Sequence, residues 1–170
     1  VRELAERYGL DLLASSILVR RGITEGEQLK FFLESDLRFL HNPFLMDETE
    51  DAVERILQAK MEGERVHVFG DRDVDGVTST VLMVETLRSL GLEVSWAVPR
   101  GEDPYGLTTD EIERCAEADV TLLIAVDCGT SNVAEIAHAG TLGIDTIVVD
   151  HHNPQPERPP ARGGAVVSRT

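Results

Sequence analysis

Three segments of the sequence gather side chains able to bind a divalent cation. GDRDVDG (70–76) places carboxylates at every second residue, Asp127 stands in VDCGT, and Asp150, His151 and His152 are consecutive. Carboxylate oxygens joined by an imidazole nitrogen suit Mn²⁺ or Mg²⁺ better than a thiolate-seeking ion. Each segment alone has a plainer use: Asp-rich turns cap helices, and a His pair can arise by chance. A calcium loop also competes for Asp71, Asp73, Asp75 and Gly76. That loop needs a bidentate Glu six residues after the glycine, where Leu82 stands, and a helix in front. The calcium reading fails.

The case for chemistry comes from the elements that carry these segments. Short β-rich runs lie at VHVF (66–69), LEVSWAV (92–98), VTLLIAV (120–126) and DTIVV (145–149), with amphipathic helices expected at 77–90, 108–118 and 131–142. Thr108 and Glu111 spell a capping box at the middle helix. Alternating strands and helices with continuously apolar strands imply an α/β fold, a Rossmann-like parallel sheet flanked by helices. In such a sheet the carboxyl ends of the strands share one edge, where the binding crevice forms. The acidic turn, Asp127 and the Asp-His-His run each follow a strand, so all three reach that edge. Gly70, Gly76 and Gly129 permit tight turns there. Thr78, Ser79 and Thr80 are expected to open the next helix and to face a phosphate, ordinary capping being the plainer use.

Residues 1–62 read as a helical lead-in that packs on the core, and 63–170 as the α/β domain. Thr24 with Glu27 forms a second capping-box pattern, followed by Leu29, Phe32 and Leu33 on one face. Asn42-Pro43 marks a connection, and Asp47 precedes a helix that packs through Ala52, Val53, Ile56, Leu57 and Ala59. The stretch NPQPERPPARGG after His152 reads as a loop, and AVVSRT as the opening of another strand, so the chain stops as a truncated domain would.

Composition narrows the partners. Net charge is −15 from 31 acidic and 16 basic residues, and only Lys30 and Lys60 are lysines. No basic stripe exists to attract a polyanion, so nucleic acid would be drawn by bound metal or by a basic segment outside these residues. No apolar run approaches the roughly 20 residues of a membrane span, and the charged start is unlike a secretory signal. Cys115 and Cys128 do not make a disulfide framework; they read as small buried hydrophobes in a cytoplasmic protein.

VHVFGDRDVDGVTST, LLIAVDCGTSN and IDTIVVDHH resemble motifs I, II and III of the DHH phosphoesterases. LVRRGIT (18–24), LRFLHNPFLMDETEDAVERI (37–56), PYGLT (104–108) and ERPPARGGAVV further resemble that family's single-strand-specific 5′→3′ DNA exonucleases, so the likeness covers nearly the whole chain. The resemblance implies two divalent cations, Mn²⁺ or Mg²⁺, bridged by Asp127. By position Asp73 holds one ion and Asp75 the other. His151 joins the second, and His152 contacts the scissile phosphate or orients water. Asp127, His151 and His152 are thus the catalytic group, supported from behind by Asp71 and Asp150. Arg72, Thr78, Ser79, Arg100 and His152 are the expected phosphate or substrate contacts.

The implied activity is metal-dependent hydrolysis of single-stranded DNA from its 5′ end, in repair and recombination, with a single-strand-binding protein or a helicase as partner. The rivals are a nano-RNA or cyclic-dinucleotide phosphodiesterase and a non-catalytic replication scaffold. The sequence departs from the family at Phe69, where several relatives carry His, and at Arg72, where this branch usually carries Tyr. The family's fourth motif, with a further metal-binding Asp, and its second domain are expected beyond Thr170, which implies reduced activity for these residues alone.

Overall fold

A computed structural model describes residues 1–34, 36–46 and 48–152, together with the backbone of 166–168. Contacts divide the chain into two compact units, Val1–Asn42 and Pro43–Thr170.

The first unit holds α1 (Arg2–Tyr8), α2 (Leu12–Arg20) and α3 (Gly26–Leu33). Its small core joins Leu4, Leu18 and Leu29, with Tyr8, Leu10, Val19 and Ile23 packed around them. The capping box expected at Thr24 does not form. Glu25 is the N-cap of α3, without a side-chain bond, and the Thr24 amide donates instead to Gln28 Oε1 at 3.3 Å. Leu29 is buried as expected, whereas Phe32 and Leu33 are half exposed.

The second unit is a five-stranded sheet in the order β2-β1-β3-β4-β5, every pairing parallel. Its strands are β1 (Arg65–Gly70), β2 (Glu93–Ala97), β3 (Val120–Val126), β4 (Asp145–Asp150) and β5 (Val166–Ser168). The helices are α4 (Thr49–Glu62), α5 (Val74–Ser89), α6 (Thr109–Glu117) and α7 (Val133–Thr141). This is the α/β architecture expected, with β5 at the AVVSRT segment. Among the described residues no helix is long and apolar enough to cross a membrane.

Two cores explain why β1, β3 and β4 are apolar without alternation. On one face Ala52 and Ala59 of α4 and Val84 and Leu87 of α5 pack on Val66, Val68, Leu122 and Ile124. On the other, Ile112 and Cys115 of α6 and Ile136 and Ala139 of α7 pack on Phe69, Leu123, Ala125 and Val148. A strand covered on both faces buries successive residues, as β3 does.

The core also moves a boundary. Texture suggests a division at 62/63, yet α4 belongs to the sheet unit, because Ala52 and Ala59 lie in its core. Arg55 adds a polar tie: its guanidinium donates to Glu64 at 2.9 and 2.7 Å and to Asp145 at 2.8 Å. Of the other residues expected on that packing side, Ile56 is partly buried against the core, whereas Val53 and Leu57 are exposed. Asp47 and the 153–164 loop lie outside the described residues.

Candidate metal centre

The strand order turns at β1, whose neighbours β2 and β3 lie on opposite sides. A crevice is expected outside the carboxyl ends of strands at such a point. Asp71 and Asp73 follow β1, Asp127 follows β3, and Asp150 ends β4 with His151 and His152 behind it. Side chains distant in sequence therefore meet. Asp71, Asp73 and Asp127 offer ligand atoms within 4.8 Å of one another, and so do Asp127, His151 and His152. Asp127 belongs to both groups. It joins the two groups.

Local structure shapes each contributor. Asp73 is the N-cap of α5, accepting from the Gly76 amide at 3.0 Å, and that bond holds its carboxyl below the usual range. Gly76 needs to be glycine: a Cβ there would stand 2.4 Å from the Asp71 carbonyl oxygen and 2.5 Å from its amide nitrogen. The Asp127 backbone is left-handed at φ 59°, a conformation uncommon outside glycine, and its amide donates to the Val149 carbonyl at 2.9 Å. That bond ties Asp127 to β4.

The electrostatics suit a cation. Burial, and then the neighbouring Asp73 charge, push the Asp127 carboxyl up, while His151 opposes them. His151 Nε2 lies 2.9 Å from Asp127 Oδ1. Asp127 Oδ2 and Asp71 Oδ1 are buried without a hydrogen-bond partner. Burying ionised oxygens unpaired is costly, and a bound cation removes the cost. The donor set, carboxylates with imidazole, is also that of Mn²⁺ or Mg²⁺. The residues fit the ions.

Behind them stands a support. Asp150 Oδ2 accepts from the Thr130 amide at 3.1 Å and its hydroxyl at 2.7 Å. Asp150 Oδ1 accepts from the His152 amide at 3.1 Å and pairs with His152 Nδ1 at 2.7 Å. Burial pushes the Asp150 carboxyl up, yet these bonds together hold it below its ordinary value. The bond to Asp150 raises His152 in turn. With Nδ1 committed to Asp150, Nε2 is the nitrogen left for chemistry.

Other expected site residues sit elsewhere. Asp75 lies exposed in the first turn of α5, in neither ligand group. Because α5 starts at Val74, Thr78 and Ser79 fall in its second turn, past the first four free amides. The Thr78 hydroxyl donates to the Val74 carbonyl at 2.7 Å. Arg72 Nη1 donates to the Gly101 carbonyl at 2.7 Å and Nη2 to that of Asp103. Arg100 lines a cleft of about 910 Å³ with His67, Ser95, Thr108, Glu111 and Arg114, and none of Asp71, Asp73, Asp127 and His151 lines it. Inside that cleft His67 Nε2 faces Glu111 at 3.2 Å and its Nδ1 meets Ser95 Oγ at 2.8 Å.

Sequence reasoning missed Tyr105, Thr130 and Asn132. The Tyr105 hydroxyl lies 3.3 Å from His152 Nδ1 and 3.5 Å from the Asp127 carbonyl. Burial and the surrounding acids, Asp150 foremost, raise the phenol above its ordinary value, so it stays protonated. The one available signal was a tyrosine beside glycine in PYGLT.

Comparison with known proteins gives the family. The DHH family, N-terminal domain, matches residues 65–168. The chain belongs to the DHH family. The match begins with β1 and takes in Asp71, Asp73, Asp127, Asp150, His151 and His152. Among curated relatives, the single-stranded-DNA-specific exonuclease RecJ of Bacillus subtilis (strain 168) is 37% identical over 163 residues, covering 95% of this chain and 21% of the relative. RecJ of Escherichia coli (strain K12) is 36% identical over 151 residues, covering 88% and 26%. A crystal structure of exonuclease RecJ bound to manganese superposes with a TM-score of 0.69 at 33% identity, over 76% of this chain and 33% of that one. RecJ from Thermus thermophilus in complex with Mn²⁺ gives 0.67 at 26% identity, over 98% and 22%. The chain thus spans about a quarter or less of the length of these two curated relatives, 26% and 21%.

Proposed function

We propose that this DHH chain supplies the metal centre of a phosphodiesterase that degrades single-stranded DNA from its 5′ end. The observation that carries the reading is the shared position of Asp127, within 4.8 Å of the motif I acids on one side and of the His pair on the other. The similarity to RecJ exonucleases over nearly the whole chain supports the substrate class. It favours that class over a cyclic-dinucleotide or nano-RNA phosphodiesterase. The retained acids and histidines speak against a scaffold without activity.

Asp73, Asp127 and His151 would hold the ions, with Asp71 and Asp75 as the carboxylates flanking Asp73. Asp71 is buried in the group, and Asp75 is exposed on α5. When bound, Mn²⁺ or Mg²⁺ supplies Lewis acidity that polarises phosphoryl oxygens and acidifies water. The remaining work falls to the chain. Asp127 fixes the spacing of the two halves of the centre, and Asp150 holds His152 by its Nδ1 so that Nε2 faces the phosphate or its attacking water. Burial of Asp71, Asp127 and Asp150 lowers the effective dielectric around them, which strengthens their interactions.

Asp127→Ala in the full-length protein tests the reading. Release of 5′-mononucleotides from single-stranded DNA is expected to fall by more than about 100-fold, beyond the usual cost of losing an outer-shell partner. Retained release would refute the assignment. A single-strand-binding protein or helicase as partner, and a cytoplasmic setting, belong to the same proposal through the RecJ resemblance.

A further inference from the structure

We propose that Arg72 is a positioning residue that couples occupation of the metal centre to the placement of segment 99–107. The inference rests on the metal-centre reading and adds to it. Arg72 stands between Asp71 and Asp73, two members of one ligand group. Its guanidinium spans two carbonyls of the facing segment, Nη1 to Gly101 at 2.7 Å and Nη2 to Asp103. A planar fork holds two acceptors in a fixed geometry, whereas an ammonium is a point charge on a flexible stem. The turn it grips is closed on itself: the Asp103 amide donates to the Arg100 carbonyl at 3.0 Å, and the Arg100 amide to Asp103 Oδ2 at 2.7 Å.

The far end of the segment is held from the other side of the centre. Asn132 Oδ1 accepts from the Leu107 amide at 3.1 Å, and its Nδ2 donates to the Leu107 carbonyl at 3.0 Å. Gly106 makes room for that carboxamide: its φ is +77°, and a Cβ would stand 2.5 Å from Asn132 Oδ1. Asn132 itself sits in the loop between β3 and α7, five residues after Asp127. The segment is therefore fixed at two points, each a near neighbour in sequence of a metal-binding acid. Between the points lies Tyr105, against His152 and the Asp127 carbonyl.

The Asn132 clamp depends on backbone that is already hydrogen-bonded within the fold. The Arg72 clamp depends on the turn 71–73, in which Asp71 Oδ1 is buried without a hydrogen-bond partner. A cation that draws Asp71 and Asp73 together fixes the backbone from which Arg72 projects, and so fixes Gly101 and Asp103. In this account Arg72 serves the loop, not the substrate.

Amide hydrogen exchange with and without Mn²⁺, alongside calorimetric Mn²⁺ titration, tests the coupling in the chain and in Arg72→Ala and Arg72→Lys. Mn²⁺ is expected to slow exchange across 99–107 in the unaltered chain by roughly 10- to 100-fold, the worth of charge-assisted hydrogen bonds. Both variants should bind Mn²⁺ as the unaltered chain does and lose that protection. In the full-length enzyme Arg72→Ala should raise KM while kcat is held. If 99–107 is protected equally in Arg72→Ala, or if Arg72→Lys keeps full protection, the clamp is wrong. Loss of Mn²⁺ binding in Arg72→Ala would equally overturn it, since Arg72 would then be serving the ligands. Absence of Mn²⁺ binding in the unaltered chain would instead bring down the metal-centre reading, and the coupling with it.

Discussion

At the scale of single residues, the centre separates groups that hold charge from groups that hold geometry. Asp127 does both, being buried, left-handed and shared by two ligand groups. Asp150 does only the second, through Thr130 and His152. Asp150→Asn keeps the shape and removes one strong acceptor, so His152 loses its fixed tautomer. Activity of the full-length enzyme is expected to drop by about 10- to 100-fold, the usual cost of an outer-shell partner, with Mn²⁺ stoichiometry unchanged; steady-state kinetics and calorimetry check this. Residue types and spacing made Asp73, Asp127, His151 and Asp150 legible in the sequence. Tyr105, Thr130 and Asn132 were not, because their roles are hydrogen bonds to partners 20 or more residues away.

At the scale of elements, strands were easy to read and helix starts were not. Continuous apolar runs located β1, β3 and β4, since burial on both faces leaves no alternation to misread, and β2, which buries none of its residues, was legible from its β-rich composition. Helix starts depended on local competition. Thr108 does cap α6, accepting from the Glu111 amide at 3.2 Å, but Glu111 turns its carboxylate to His67 and Arg114 instead of closing the box. The approach of His67 Nε2, at 3.2 Å, is the first cause that holds Glu111 below its ordinary 4.5. A carboxyl depressed by folding contributes stability above its unfolded pKa, and that contribution disappears as pH falls through the folded value. Glu111→Gln should therefore be the less stable protein at neutral pH, and the gap should narrow as pH falls progressively below 4.5; denaturant melts at neutral and acid pH measure it. The β1–α5 turn offers a second check at this scale. Gly76→Ala drives a Cβ into the Asp71 backbone and should cost roughly 1–3 kcal/mol, the range for overpacking, seen as a lower melting temperature and weaker Mn²⁺ binding.

At the scale of the whole molecule, sequence texture located the α/β unit but placed its edge at 62/63. Helical periodicity shows that α4 is a helix, not which unit it packs in. That is decided by Ala52 and Ala59 in the sheet core and by Arg55 reaching Glu64 and Asp145. Charge also acts at this scale. A chain of net charge −15 repels a polyanion, so the proposed action on DNA requires bound cations to offset that repulsion. Calorimetric titration of the chain with Mn²⁺, run in parallel on Asp127→Asn, bears most directly on the centre. Saturable binding to the unaltered chain, lost when the bridging carboxylate becomes an amide, is the expected outcome. Superimposable isotherms for the two proteins would mean that the acids and histidines at these strand ends do not share a cation through Asp127.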